Sequence, residues 1–266
     1  MPLLIGFILG IVIAFLAWKA GALSNSGAWA AALTGGLVFG LGGLPWAVLL
    51  LTFFVSSSVL SRLFARRKAA LNEKFAKGSR RDWEQVFANG GLGALLAVVY
   101  GLFPGATWVW VVFACAMAAV NADTWATELG VLNPQPPRLI STWKLVEQGT
   151  SGGISVFGYL AAMGGAGLVA VAAALFSPAG SRLIILLIVF VAGLAGTTAD
   201  SLVGATVQGI YYCPQCDKET ERHPLHSCGA STQHLRGWRW VSNEVVNFTC
   251  SLVAAGTGFL LFAWLH

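Results

Sequence analysis

The chain has 266 residues, of which 56% are hydrophobic and only 10% charged, with 32 glycines and 11 tryptophans. That balance argues against a soluble globular domain and for a polytopic helical membrane protein. A hydrocarbon core of about 30 Å takes roughly 20 mostly apolar residues per helix, and glycine lets helices approach closely in lipid. The net charge of +5 is no sign of nucleic-acid binding, and none is expected, because the basic residues sort by topology.

Eight membrane segments are predicted, at about 3–20, 28–44, 45–61, 86–103, 106–128, 152–176, 181–209 and 243–265. The first apolar run, Pro2 to Trp18, has no charged n-region and no clear small-residue cleavage site, so it reads as a retained helix. The seventh is longer than a span and is expected to break or exit near Asp200 to Gly204. With the connections assigned alternately to two sides, one side holds 15 of the 16 Lys and Arg and the other only Arg182. The positive-inside rule puts the rich side in the cytoplasm and both termini outside. The expectation is an all-α polytopic protein of the cell (plasma) membrane, a single domain over 1–266. It carries a basic cytosolic loop at 62–85 and a cytosolic zinc-ribbon-like insert at 211–240, and a homo-oligomer is compatible with it.

The basic loop contains Arg62, Arg66, Arg67, Lys68, Lys74, Lys77, Arg80 and Arg81. Its plain role is orientation and attraction to anionic lipid; its sharper one is to hold phosphate oxygens. Arg80 and Arg81 are nearest a membrane helix, which opens with Asn89 beside two glycines. Asn89 serves either helix packing or a site. Farther on, Asn133-Pro134-Gln135-Pro136-Pro137 cannot continue a helix. Arg138 and Lys144 follow, then Gly149-Thr150-Ser151-Gly152-Gly153. A small-residue run entering a helix can offer backbone N–H groups and the positive dipole end to a phosphate. It is not a Walker A loop, lacking Gly-Lys-Ser/Thr. Read plainly, it is a helix start capped by Thr150 or Ser151.

Two acidic motifs end apolar runs. Asn121-Ala122-Asp123-Thr124-Trp125-Ala126-Thr127-Glu128 follows Ala106–Val120, and Thr197-Thr198-Ala199-Asp200-Ser201 ends the seventh segment. Ionisable groups at membrane depth are a functional-site hypothesis by default. On a helix Asp123 and Thr127 share one face and Asn121, Thr124 and Glu128 a neighbouring one, while Thr197, Asp200, Ser201, Gly204 and Gln208 form a stripe. Both motifs approach the cytosolic side. Carboxylates, hydroxyls and amides are hard oxygen ligands suited to Mg²⁺ held with phosphates; interhelical glue is the bland alternative. In the last helix Glu244 suits the dipole, whereas Asn243 and Asn247 lie on one face and could serve the site.

The insert reads Cys213-Pro214-Gln215-Cys216, then His223, then His226-Ser227-Cys228-Gly229. A Cys-x-x-Cys and a His-x-Cys-Gly knuckle supply four ligands of zinc type: Cys213, Cys216, Cys228 and one His. His226 is preferred, with His223 and His234 as alternatives. Four protein ligands leave no open position, so the zinc is expected to be structural. Cys115 and Cys250 read as small packing residues within helices.

The phrases FFVSSSVLSR, RRDWEQVFANGG, NADTWATELGVL, PRLI, GTSGGIS, ADSLVGATVQ and SNEVVNF, from about Ser24 to the end, resemble the integral-membrane family called domain of unknown function 92. That family includes a plant phytyl-phosphate kinase and an animal transmembrane relative. The resemblance implies an enzyme that phosphorylates an isoprenoid monophosphate to the diphosphate, using a nucleoside triphosphate (CTP or ATP) and Mg²⁺. Because the animal relative lacks the cysteines, zinc is not expected in the shared chemistry. On this reading Asp123, Glu128 and Asp200 hold Mg²⁺. Arg80, Arg81, Arg138 and Lys144 clamp phosphates above the Gly149–Gly153 turn. Asn89, Asn121, Thr127, Thr150, Ser151, Ser201, Gln208, Asn243 and Asn247 are the further polar candidates, and the prenyl chain lies between helices. Alternatives are a cytidylyl- or head-group transferase on a lipid phosphate, and a lipid-phosphate or ion transporter.

Overall fold

Long apolar runs with few breakers satisfy their backbone polar groups within themselves, as helices. The computed structural model describes residues 3–64, 74–78, 80–178 and 180–265. Among these the chain forms α1 (Leu3–Lys19), α2 (Asn25–Leu37) prolonged by a π-helical turn (Val38–Gly42), α3 (Leu44–Leu63), α4 (Trp83–Leu102), α5 (Thr107–Gly130), α6 (Val156–Phe176), α7 (Arg182–Thr206) and α8 (Asn243–Leu265). The six helices α3 to α8 are long and apolar enough to cross a membrane, and α1 is a shorter apolar helix. Arg66, Arg67 and Lys68 lie outside the described residues.

Two expectations about element limits need correction. The segment expected at 28–44 is only 13 residues of α-helix before the π turn; Gly43 with φ 73° and the proline opening α3 divide it from the next. The seventh segment does not break near Asp200, since α7 runs unbroken to Thr206. The Gly149–Gly153 run also differs from its predicted place at a helix start. Gly153–Ile154 forms a two-residue strand β2 paired antiparallel with β1, Arg138–Leu139. Ser155, rather than Thr150 or Ser151, then caps α6, its Oγ accepting from the Gly158 amide at 3.0 Å.

α5 is the axis of the bundle. Every residue from Val109 to Ala122 is buried, as a helix apolar on all sides requires, and α3, α4, α6, α7 and α8 pack around it. At one end Trp46 stacks on Phe113 with ring centroids 4.2 Å apart. Large apolar side chains such as Leu4, Val55, Leu95, Leu160 and Leu260 are exposed on the outer face; so much exposed apolar surface marks an interaction with lipid or protein.

The helices alternate in direction, so α3, α5 and α7 end where α4, α6 and α8 begin. That end also carries the basic side chains: Arg62 donates to the Ala20 carbonyl, Lys74 pairs with Glu147 at 2.6 Å, and Arg236 reaches the end of α7. The 207–240 segment lies there as well, as an antiparallel three-stranded sheet in the order β4 (Lys218–Thr220), β3 (Ile210–Cys213), β5 (Gln233–Arg236).

Candidate functional site

A cleft of about 460 Å³ opens at this end of the bundle. Its lining comes from Ser61 of α3, Gln85 and Asn89 of α4, Asp123, Thr127 and Glu128 of α5, Tyr159 of α6, Thr197, Asp200 and Ser201 of α7, and Asn243, Glu244 and Asn247 of α8. Between the helices, Lys77, Arg81, the Thr150–Gly153 turn and Glu221 of the insert complete it.

The carboxylates divide into two settings. Asp123 and Asp200, from different helices, lie within hydrogen-bonding reach of one another. Asp200 Oδ1 and, one turn earlier, Thr197 Oγ1 are buried without a hydrogen-bond partner among the described residues. Two adjacent carboxyls with an orphaned oxygen call for a shared proton or a cation, and the donor set is hard oxygen of the type that suits Mg²⁺. These residues therefore fit the ion expected there. Glu128 instead accepts from Ser61 Oγ at 2.7 Å and faces toward Arg81, whose guanidinium is pushed down to about 10 by burial, with the Glu128 charge opposing the shift.

Arg81 is fixed from several sides. Its guanidinium donates to Ser58 Oγ at 2.9 Å and Ser57 Oγ at 3.0 Å, and stands 5.7 and 5.5 Å from the ring centroids of Phe53 and Phe54. Its backbone bonds to Ala22 O and Ser24 N at 3.0 and 2.9 Å. Gly27 permits that approach, since a Cβ there would stand 2.1 Å from the Arg81 carbonyl oxygen. Lys77 bridges helix starts, with Asp82 at 2.8 Å, Glu244 at 3.0 Å and Glu84 also paired to it. Burial opposes its charge, but these three carboxylates hold its ammonium above the ordinary lysine range.

Other candidates lie away from the cleft lining, each for a local reason. Arg80 donates to the Leu23 carbonyl at 3.3 Å, and Arg138 to the Trp143 carbonyl at 2.8 Å within its own hairpin. Lys144 is exposed on that hairpin. Asn121 is fully buried, accepting from Ser56 Oγ at 2.9 Å and donating to Gly165 O at 2.8 Å, so it ties α3 and α6 to α5. Gln208 sits just behind the lining, where Ser151 Oγ donates to its Oε1. Sequence reasoning missed Ser61, Gln85, Tyr159 and Glu221, and it counted Lys77 among the loop cations able to hold phosphate without singling it out. The serines of FFVSSSVLSR were the available signal, since polar residues this frequent in an apolar helix need partners.

In the insert, Cys213, Cys216, His226 and Cys228 place one ligand atom each within 4.8 Å of all the others. They could hold a metal ion. Thiolates 2.3 Å from a shared tetrahedral ion lie about 3.8 Å apart, and Cys213 and Cys228 Sγ are 3.6 Å apart, too far for a disulfide. His226 Nδ1 is 3.3 Å from Cys228 Sγ. The other two histidines are engaged elsewhere: His223 stacks on Tyr211 at 4.4 Å and His234 meets the same ring edge-on at 5.6 Å. The Ala230 amide, then His226, hold the Cys228 thiol down at about 6, which favours the thiolate that binds metal.

The insert is bolted to the cleft. Glu221 accepts from Gln208 Nε2 at 2.9 Å and from the Ala76 amide at 3.3 Å, although burial raises its carboxyl above the usual range. Arg236 donates to Ala205 O at 3.0 Å, Gly204 O at 3.2 Å and Ser151 O at 3.5 Å, occupying carbonyls at the end of α7. Gly152, at φ +79°, lets the turn press on the same helix end: a Cβ there would stand 2.5 Å from Ala205.

A helical bundle with a polar cleft at one end and a lipid-compatible exterior defines an integral membrane protein. The chain belongs to the family described as integral membrane protein DUF92, whose model matches residues 8–255. It is 31% identical to Protein PGR of Arabidopsis thaliana over 95% of this chain and 93% of that protein. It is 34% identical to an uncharacterized membrane protein of Methanocaldococcus jannaschii over 76% of this chain and 82% of the relative. An uncharacterized membrane protein of Synechocystis is 27% identical over 78% and 69%. No solved structure matches the chain.

Proposed function

We propose that this protein is a membrane-embedded prenyl-monophosphate kinase that forms the diphosphate from a nucleoside triphosphate. The observation that carries the reading is the facing Asp123–Asp200 pair, with a buried orphan oxygen, in one cleft with Arg81 and Lys77. Phosphoryl transfer consists largely of positioning and charge neutralisation, and this cleft offers both signs of charge. The resemblance of the motifs to a family that includes a plant phytyl-phosphate kinase points the same way.

Asp123 and Asp200, with Glu128 at the edge of the same cleft, would hold Mg²⁺, which when bound neutralises charge on the triphosphate. Arg81, oriented by Ser57 and Ser58, takes phosphate oxygens from the α4 side, and Lys77 approaches from the loop. Arg80, Arg138 and Lys144 are not needed for this, given where they lie. Thr150 to Gly153 form the floor, and Asn89, Asn243 and Asn247 supply neutral donors. The acceptor is already ionised, so no strong general base is required. Its oxygen attacks the γ-phosphorus, the bond to the bridging oxygen breaks, and the nucleoside diphosphate leaves.

The basic end of the bundle is the cytoplasmic one by the positive-inside rule. On this reading the cleft faces the cytoplasm from the plasma membrane, and the two termini lie on the opposite side. Zinc is the metal for the cysteine cluster, with a structural role. A transporter reading is disfavoured because such proteins set their sites in broken helices near the midplane, whereas α5 and α7 run unbroken through Asp123 and Asp200 to helix ends. Purified protein supplied with Mg²⁺, prenyl monophosphates and CTP, ATP or GTP is expected to give prenyl diphosphate and nucleoside diphosphate. Pyrophosphate release would indicate a cytidylyl- or head-group transferase instead. No product across all chain lengths and nucleotides would refute the kinase.

A further inference from the structure

A second cavity, about 70 Å³, lies between α1, α2, α3 and α4. Its walls are almost wholly apolar, including Gly10, Ala14, Ala31, Phe39, Leu51 and Phe53. Arg81, Gln85 and Asn89 line both this slot and the polar cleft. From Ala17 to Gly10 on α1 the slot runs about 10 Å at 1.5 Å per residue. It therefore starts at the collar of the cleft and descends into the apolar part of the bundle.

We propose that this slot seats the first part of the hydrocarbon chain of a single-chain lipid monophosphate, its phosphate held at Arg81. The proposal rests on the reading of the cleft as a phosphate site, and adds where the lipid lies and which lipids qualify. A chain arriving from the bilayer gains little hydrophobic energy in the slot, because lipid tails are as apolar as the walls. Its value is positional. The Arg81 guanidinium stands beside the Phe53 and Phe54 rings, so one residue meets hydrocarbon on one side and the acidic cleft on the other. A phosphate bound there brings its chain to the slot mouth. The slot is lined by small side chains at Ala14, Ala17, Ala31 and Gly35 and holds about 70 Å³, room for one chain, whereas the two chains of a phosphatidic acid leave one glycerol together and would meet its mouth as a pair. A slot of this length grips only the units nearest the phosphate, and the remainder returns to the bilayer.

Two measurements test this. Wild-type protein in nanodiscs is irradiated with a single-chain alkyl phosphate carrying a diazirine near its head, and the labelled peptides are mapped. Label on slot-lining residues of α1 to α4, reduced by geranylgeranyl monophosphate but not by phosphatidic acid, is expected. Label confined to outer lipid-facing residues, or equal competition by phosphatidic acid, overturns the assignment. Separately, Ala31→Phe narrows the slot. The ratio of kcat/KM for geranylgeranyl over isopentenyl monophosphate is expected to fall by about tenfold or more, the scale for excluding apolar groups from a pocket. An unchanged ratio in folded protein overturns it. Slot labelling without any turnover would instead leave the slot standing and remove the kinase.

Discussion

The cysteine–histidine cluster and the carboxylate cleft are built in opposite ways. The cluster draws all its ligands from one short stretch, Cys213 to Cys228, and its atoms converge because a tight sheet and knuckle leave them no other arrangement. The cleft draws on six helices and three connections, and its closest partnerships span long separations, such as 67 residues between Ser61 and Glu128. The local site is therefore expected to withstand damage to the bundle, and the bundle to withstand loss of the local site. The bridge from Glu221 through Gln208 to Ser151 makes the coupling between them measurable.

The sharpest way to break the contrast is at the acids. Asp123→Asn removes a charge from the Asp123–Asp200 pair and is expected to lower kcat for diphosphate formation by about 10²- to 10³-fold or more, the scale of a lost electrostatic stabiliser. Activity near wild type would refute the metal assignment. Next comes Cys213→Ser. Metal analysis should find zinc in the wild-type protein and none in the variant, while the helical circular dichroism persists. Turnover should fall by about tenfold, as for groups that orient others. Unchanged zinc content would dismiss the cluster as a site, and unchanged turnover would dismiss the coupling. Ser61→Ala, which takes the hydroxyl from buried Glu128, should cost about 1–2 kcal/mol in detergent unfolding.

The smallest effect lies at the rim. Burial pulls the Asp82 carboxyl up, but the Gln85 amide and Lys77 more than offset it and leave it below its ordinary 3.8. A depressed folded value means the stabilisation is complete above the unfolded value and is lost as pH falls through the folded one. Thermal stability should therefore decline below about pH 4, by about 1 kcal/mol or less at this partly buried pair on the rim. Lys77→Met should flatten that decline.

The same contrast explains what could be read from the chain alone. Apolar runs and their breakers announce helices, and the alternation of basic connections orders them, because both are local facts. His226 could be preferred over its neighbours from the knuckle spacing. By contrast, Asp123 and Glu128 could not be told apart on a single helix; only the packing of α7 and α3 sends one to Asp200 and the other to Ser61. Arg80 and Arg81 are adjacent in sequence, yet the parallel bridge at Leu23 turns one outward and the other into the cleft. Gln208 lay on the predicted stripe, but the helix ends before it and its side chain serves the insert. Glu221 carried no signal, because its position depends on how a separate sheet docks.

The burial of α5 on every side from Val109 to Ala122 bears on how the molecule comes into being. Helices can enter a bilayer singly and associate afterwards, but this one must exchange lipid for protein around its whole circumference. Its neighbours on both sides in sequence have to close round it, so neither half of the chain can finish the job. Asn121 and Asp123 acquire their polar company only at that closing step, which makes the cleft a product of complete assembly.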